Sequence, residues 1–207
     1  MAKAIIPKNM AYSDFTIEKV NQDFHLRVTA TAFLGQVAAV QPSGWLVESL
    51  RRGADLARIM GTEKAKSELI IMPVLVEIHE LFRDQISLFS GKTFNFDASL
   101  GLNGICDYLI TRSPGQIVIE SPVVVVVEAK QGDLNSGWGQ CVAEMVAAQK
   151  LNEMSQKSIS AVYGVVTNGT LWQFLRIQGD RVSIEPQEYS LMPVDNILGI
   201  LKKIIGI

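Results

Sequence analysis

The chain has 207 residues, 48% of them hydrophobic and 19% charged, with a formal net charge of −2 and an isoelectric point near 5.7. That length suits one compact domain with a sizeable core, the acidic balance argues against a general nucleic-acid coat protein, and two cysteines give neither a disulfide framework nor a zinc pattern. No apolar run reaches the roughly 18 residues needed to span a bilayer, and the start, Met1–Lys8, lacks the long apolar region of a signal peptide, so a reducing, cytoplasmic setting with no membrane contact is expected. The high apolar fraction is also compatible with a homodimer.

In chain order, residues 16–24 are predicted as a short helix and Gly44–Met60 as a stronger one. In the second, Leu46, Val47, Leu50, Ala54 and Ala57 recur near the helical period. Gln41-Pro-Ser-Gly44 reads as its leading turn and Gly61 as its stop. Thr62 then caps a helix running through Leu81, which Pro73 should kink or reset. Residues 1–61 are accordingly read as an N-terminal helical elaboration, and 62–207 as the core. A basic cluster, Arg51, Arg52, Arg58, Lys64 and Lys66, falls mostly at helical spacing; it reads as a solvated face or as a phosphate contact. Strand-like runs follow at 93–98, 104–111 and 122–130, then a helix over 137–155. The segments 161–167 and 171–177 flank Asn168-Gly169, a strong hairpin signal. Residues 181–190 read as an edge strand and 194–205 as an amphipathic closing helix. His25 and His79 stand far apart with no acid or cysteine pattern beside them, which leaves zinc and triad chemistry unsupported.

The stretch that bears on function is Val123-Val-Val-Val-Val-Glu-Ala-Lys130. Five valines suit a strand buried on both faces. Side chains alternate along a strand, so Glu128 and Lys130 share a face while Ala129 takes the other. An acid and a base at the end of a core strand are costly unless something there uses them; the plain alternative is a surface ion pair at a frayed end. Upstream, Gly104–Thr111 is strand-like and contains Asp107. If the two runs pair antiparallel about a midpoint near Ile117, Asp107 and Glu128 become rough mates. Two carboxylates that close favour a cation between them, and Mg²⁺ is commonly held by one or two carboxylates together with substrate phosphates. Gln140 and Glu144 lie one helical turn apart on the following helix.

Asp107, twenty intervening residues and Glu128-Ala129-Lys130 resemble the signature of the PD-(D/E)XK nuclease-like (restriction endonuclease-like) superfamily. Gln140, on the helix after that strand, adds to the likeness, as does Glu68 ahead of the first core strand, with Glu77 as the other candidate for the same place. Cys106 stands where the proline that names the motif would be. The resemblance covers about residues 62–178. It implies an α/β fold with an αβββαβ core, a central mixed sheet flanked by helices, and an N-terminal helical extension. It also implies a Mg²⁺- or Mn²⁺-dependent phosphodiesterase acting on nucleic acid, with DNA the expected polymer. The metal ligands it implies are Asp107, Glu128 and the carbonyl of Ala129; Lys130, Gln140 and Glu68 complete the implied site. A nuclease-like fold kept for binding nucleic acid or protein, without turnover, is the alternative function.

Overall fold

The computed structural model describes residues 10–157 and 159–206. The opening stretch, read above as lacking a signal-peptide core, lies outside them. Six α-helices are described: α1 (Ile17–Phe24), α2 (Gly44–Met60), α3 (Glu63–Lys66), α4 (Met72–Leu81), α5 (Trp138–Met154) and α6 (Val194–Ile205). The strands are β1 (Arg27–Ala30), β2 (Ser87–Thr93), β3 (Ile105–Thr111), β4 (Val123–Ala129), β5 (Val162–Thr167), β6 (Leu171–Gln178), β7 (Arg181–Ile184) and β8 (Tyr189–Ser190).

These strands form one mixed sheet in the order β1-β7-β6-β5-β4-β3-β2, with β8 pairing to β6. β2, β3 and β4 run as an antiparallel meander. Strand β4 then crosses through α5 to β5, which lies parallel to it. β5, β6 and β7 are antiparallel again, and β1 adds in parallel beside β7. Helix α4, the meander, α5 and β5 thus follow one another as helix, three strands, helix, strand.

Every residue of β4 is buried, because both of its faces are covered. Val125, Val127 and Ala129 point into a core shared with Leu46, Val74, Leu75, Ile197 and Leu201 of α2, α4 and α6. Val126 points into the opposite core, built on Cys141, Val142 and Met145 of α5. Helix α5 is itself buried over most of its circumference, for Tyr12, Phe15 and Val20 close its outer side. Residues ahead of position 62 are therefore part of both the core and the sheet. The expected all-helical N-terminal extension is corrected by β1, held to β7 by its ladder and by an ion pair from Arg27 to Asp180.

Two strand boundaries also change. The run expected at 93–98 is mostly turn, and the strand beside β3 is β2, in which Leu88 and Phe89 pair with Ile110 and Leu109. The segment 181–190 is divided between β7 and β8, and it is β1 that forms the outer edge. Among the described residues no helix is long and apolar enough to cross a membrane.

Thr62 caps α3 as expected, its hydroxyl accepting from Ala65 N at 3.1 Å. Pro73 does not break the chain there. Between α3 and α4 the backbone widens into a π-helical turn, Ser67–Ile71, with the N–H of Met72 donating five residues back to Ser67 O. Proline lacks an N–H and crowds the carbonyl four residues before it, here Leu69, and the wider turn absorbs that conflict. The Leu69 carbonyl faces α2 at Gly53, where a Cβ would sit 2.6 Å from the carbonyl oxygen. Alanine at 53 would gain about 1 kcal/mol of helix propensity but crowd unyielding backbone at a cost of about 1–3 kcal/mol. Gly53→Ala is expected to lower the urea midpoint with an unchanged slope, for a net loss of up to about 2 kcal/mol; a rise in midpoint would show that α2 and the π-turn are free to separate.

Candidate active site

The register of the meander brings the acids together. Tyr108 pairs with Val127, Leu109 with Val126 and Ile110 with Val125. One step further along, Asp107 faces Glu128, as the midpoint argument requires, and opposed residues of an antiparallel pair project to the same face. The link is direct: the backbone N–H of Ala129 donates to Asp107 Oδ2 at 2.8 Å. The ladder to β5 continues past the end of β4, with Lys130 N donating to Thr167 O at 2.8 Å. The main chain thus stays straight long enough to return Lys130 to the face of Glu128.

Glu128 is 2% exposed. Both of its oxygens have donors: Lys130 Nζ at 2.5 Å on Oε1 and Gln140 Nε2 at 2.8 Å on Oε2. Gln140 stands in the first turn of α5, and its amide oxygen also accepts from Lys130 at 3.2 Å. The lysine stem reaches this place across Gly137, where a Cβ would lie 3.1 Å from Lys130 Cγ and 2.6 Å from Val166 Cγ1. A residue with a side chain at 137 would push the lysine out of the site. One turn along α5, Glu144 is fully buried and its Oε1 accepts from Gln140 Nε2 at 3.2 Å.

Burial dominates the electrostatics. It raises Glu128, with further upward pressure from Asp107, so that despite the Lys130 ammonium its carboxyl is pushed up to about 8. Burial likewise lifts Asp107, against the opposing pull of the Ala129 N–H and of Lys130. It lifts Glu144 well above the carboxylate range, with the Glu128 charge adding to the effect. For Lys130 burial works downward, but the Glu128 carboxylate beside it prevails and the ammonium is held above its ordinary value. The Cys106 and Cys141 thiols are both raised by burial first and by Glu144 next, which makes them core groups rather than thiolate nucleophiles.

Of the residues singled out in the sequence, Asp107, Glu128, Ala129, Lys130 and Gln140 meet at this one end of the sheet. Glu68 does not join them: its side chain is 59% exposed and pairs with Lys64 at 2.8 Å on the surface. Glu77, the other candidate, is buried and accepts from Ser43 N at 2.6 Å and Ser43 Oγ at 2.7 Å, anchoring the cap of α2. The helix acid whose charge weighs on both Glu128 and Lys130 is Glu63, at the start of α3. Nothing in the spacing distinguished it from its neighbours. Glu144 was legible only as a member of the Gln140 helix face, with no sign that it would be buried. The basic cluster is largely neutralised along its own helices, Arg51 and Arg52 on Glu48, Arg58 on Asp55 and Lys64 on Glu68. Lys66 reaches the site loop, donating to Gln131 O at 2.7 Å.

Among the described residues, no three His, Cys, Asp or Glu side chains are grouped as a metal cage. The donor set nonetheless fits a hard divalent cation. Mg²⁺ usually takes one or two carboxylates and completes its shell with water and phosphate, and a carboxylate oxygen that accepts one hydrogen bond retains a lone pair. Asp107, Glu128 and the Ala129 carbonyl, all at this end of the β3–β4 pair, are hard oxygens of that kind.

Carboxyls that keep a proton in the folded chain weaken the fold as pH rises. Unfolded Glu128 ionises near 4.5 and folded Glu128 near about 8, so between these values the folded state binds the extra proton and stability falls with increasing pH. Glu144 acts in the same direction from the same unfolded value. The urea midpoint is expected to drop between about pH 5 and about pH 8, and to drop less in Glu144→Gln, which has no proton to lose. An equal slope in the variant would mean that Glu144 is ionised in the fold.

No family model matches this sequence, and comparisons with curated proteins and with solved structures return no match.

Proposed function

We propose that this chain is a metal-dependent phosphodiesterase of the PD-(D/E)XK nuclease-like type, acting on DNA. One observation carries the reading: Asp107 and Glu128 lie on one face at the ends of paired strands, with Lys130 Nζ 2.5 Å from the Glu128 carboxylate. The succession of α4, the β2-β3-β4 meander, α5 and parallel β5 supports it, as does the position of Gln140 between Glu128 and Lys130.

In this reading Asp107, Glu128 and the Ala129 carbonyl would hold Mg²⁺ or Mn²⁺, which when bound would lower the pKa of a water and neutralise charge on the phosphate. The Ala129 N–H holds the Asp107 carboxylate by Oδ2, which would leave its other oxygen available to a cation. Lys130 brings an ammonium to the same face, where it steadies a phosphate oxygen or orients the attacking water. Gln140 keeps that ammonium from folding wholly onto Glu128, because its amide oxygen offers a second acceptor. Asp107 and Lys130 are only half-buried, so a phosphodiester reaches them from the open end of the sheet. Lys66 stands beside the loop that leaves this end and offers a phosphate contact there.

The test is cleavage of linear, circular, single-stranded and branched DNA, with RNA alongside, in Mg²⁺ and in Mn²⁺. Lys130→Ala and Asp107→Asn are each expected to lower metal-dependent cutting by about 10²- to 10⁴-fold. Retention of cutting in both variants would overturn the reading. Binding of DNA by the wild type with no turnover in either metal would place the chain among folds kept for recognition.

A further inference from the structure

Glu144 has no part in the chemistry described so far, and its surroundings ask for one. It is fully buried, and Lys, Arg and His are absent from its hydrogen-bond partners among the described residues. Its one described hydrogen bond comes from Gln140 Nε2 at 3.2 Å. Its Oε2 has no described partner, and the same holds for the buried hydroxyl of Tyr12. Tyr12, Cys106 and Cys141 are titratable groups near enough to feel its charge. A carboxylate anion in such a place would be expensive, whereas a neutral acid is not.

The Gln140 amide is the point at which this matters. It carries two hydrogens on Nε2, and each has its own acceptor, Glu128 Oε2 at 2.8 Å and Glu144 Oε1 at 3.2 Å. Its oxygen faces Lys130 Nζ at 3.2 Å. Lysine can only donate, so the amide atom toward it must be the oxygen. With the Glu144 proton on Oε2, the amide turned over would set its oxygen against the accepting Oε1 and its hydrogens against an ammonium. Glu128 alone is a weak guide to that orientation, since it is shared with Lys130. Glu144 takes the second hydrogen on Oε1, with the Cys106 thiol as a further polar neighbour.

We propose that Glu144 is a positioning residue: by accepting from Gln140 it fixes the amide orientation that seats Lys130 beside Glu128. The role at Lys130 rests on the phosphodiesterase reading, while the contact itself does not. Glu144 touches neither substrate nor the reacting atoms in this arrangement; it acts through Gln140. Because it acts as a neutral acceptor, glutamine can replace it and an apolar residue of similar size cannot.

The experiment compares Glu144→Gln, Glu144→Leu and Glu144→Met with the wild type, thermal melts first verifying folding. Two readouts are taken. One is the side-chain amide signals of Gln140 in ¹⁵N NMR, assigned through Gln140→Ala. The other is metal-dependent cleavage, split into kcat and KM. Glu144→Gln should keep two resolved, exchange-protected amide hydrogens and near wild-type kcat. The apolar variants should lose the protected pair and lower kcat by about 10- to 100-fold with KM little changed, as for other groups that orient a ligand-bearing side chain. Apolar variants that match the wild type in both readouts would overturn the proposal in favour of plain core packing. A Glu144→Gln protein as damaged as Glu144→Leu would overturn it in favour of a charged role. Should the wild type cut nothing, the phosphodiesterase reading fails, and the amide signals decide the positioning role by themselves.

Discussion

A carboxylate sealed at the end of a five-valine strand is the constraint from which the site follows. β4 is buried on both sides because β3 and β5 flank it and helices cover each face, so the acid that ends it is shut away from water along with the valines. Such a group is tolerable only with donors at hand. One comes from two residues along the same strand, because alternation returns Lys130 to the face of Glu128. The other comes from the first turn of α5, whose close approach is allowed by Gly137. Asp107 is fixed by strand register to the same spot. Three acids and one base then share a small, mostly dry volume, and the acids respond by rising above their ordinary range.

Much of this was legible in the sequence, for reasons that differ by element. The β4 valines, the Asn168-Gly169 hairpin and the amphipathic α6 declare themselves through composition and period, and the Asp107–Glu128 pairing needed only the length of the connection. β1 was not legible: Arg27-Val-Thr-Ala30 is short, half-polar and supported almost wholly by its partner some 150 residues away, a pairing that local pattern cannot announce. β2 was misplaced because Phe94-Asn-Phe-Asp97 alternates like a strand, whereas Ser87–Thr93, an edge strand exposed over its second half, carries Gly91 and Lys92. The helix acid was misjudged for a third reason. It was placed by the resemblance and not by a helical face, and the π-turn at Ser67–Ile71 that carries Glu68 leaves no mark in the residue pattern.

The position of the site also accords with how open α/β sheets use their edges. Ligands gather outside the carboxyl ends of parallel strands, where the chain departs in different directions. β4 and β5 are the parallel pair at the centre of this sheet. From β4 the chain leaves through Gln131 toward α5 on one face; from β5 it turns at Gly169 straight back into β6. Across the gap between those departures, Lys66 donates to the Gln131 carbonyl and Asn168 to the Gly132 carbonyl.

The parallel seam between β1 and β7 has a consequence for the order in which the protein can be made. β1 leaves the ribosome well before its ladder partners, residues 181–184. The backbone of Thr31 likewise waits for the carbonyl of Ile184. Until then the early strand has no ladder partner, whereas Tyr12 and Phe15 can pack on α5 as soon as that helix is made. The sheet is therefore closed by two segments far apart in the chain, and β1 stays unpaired until β7 has followed it.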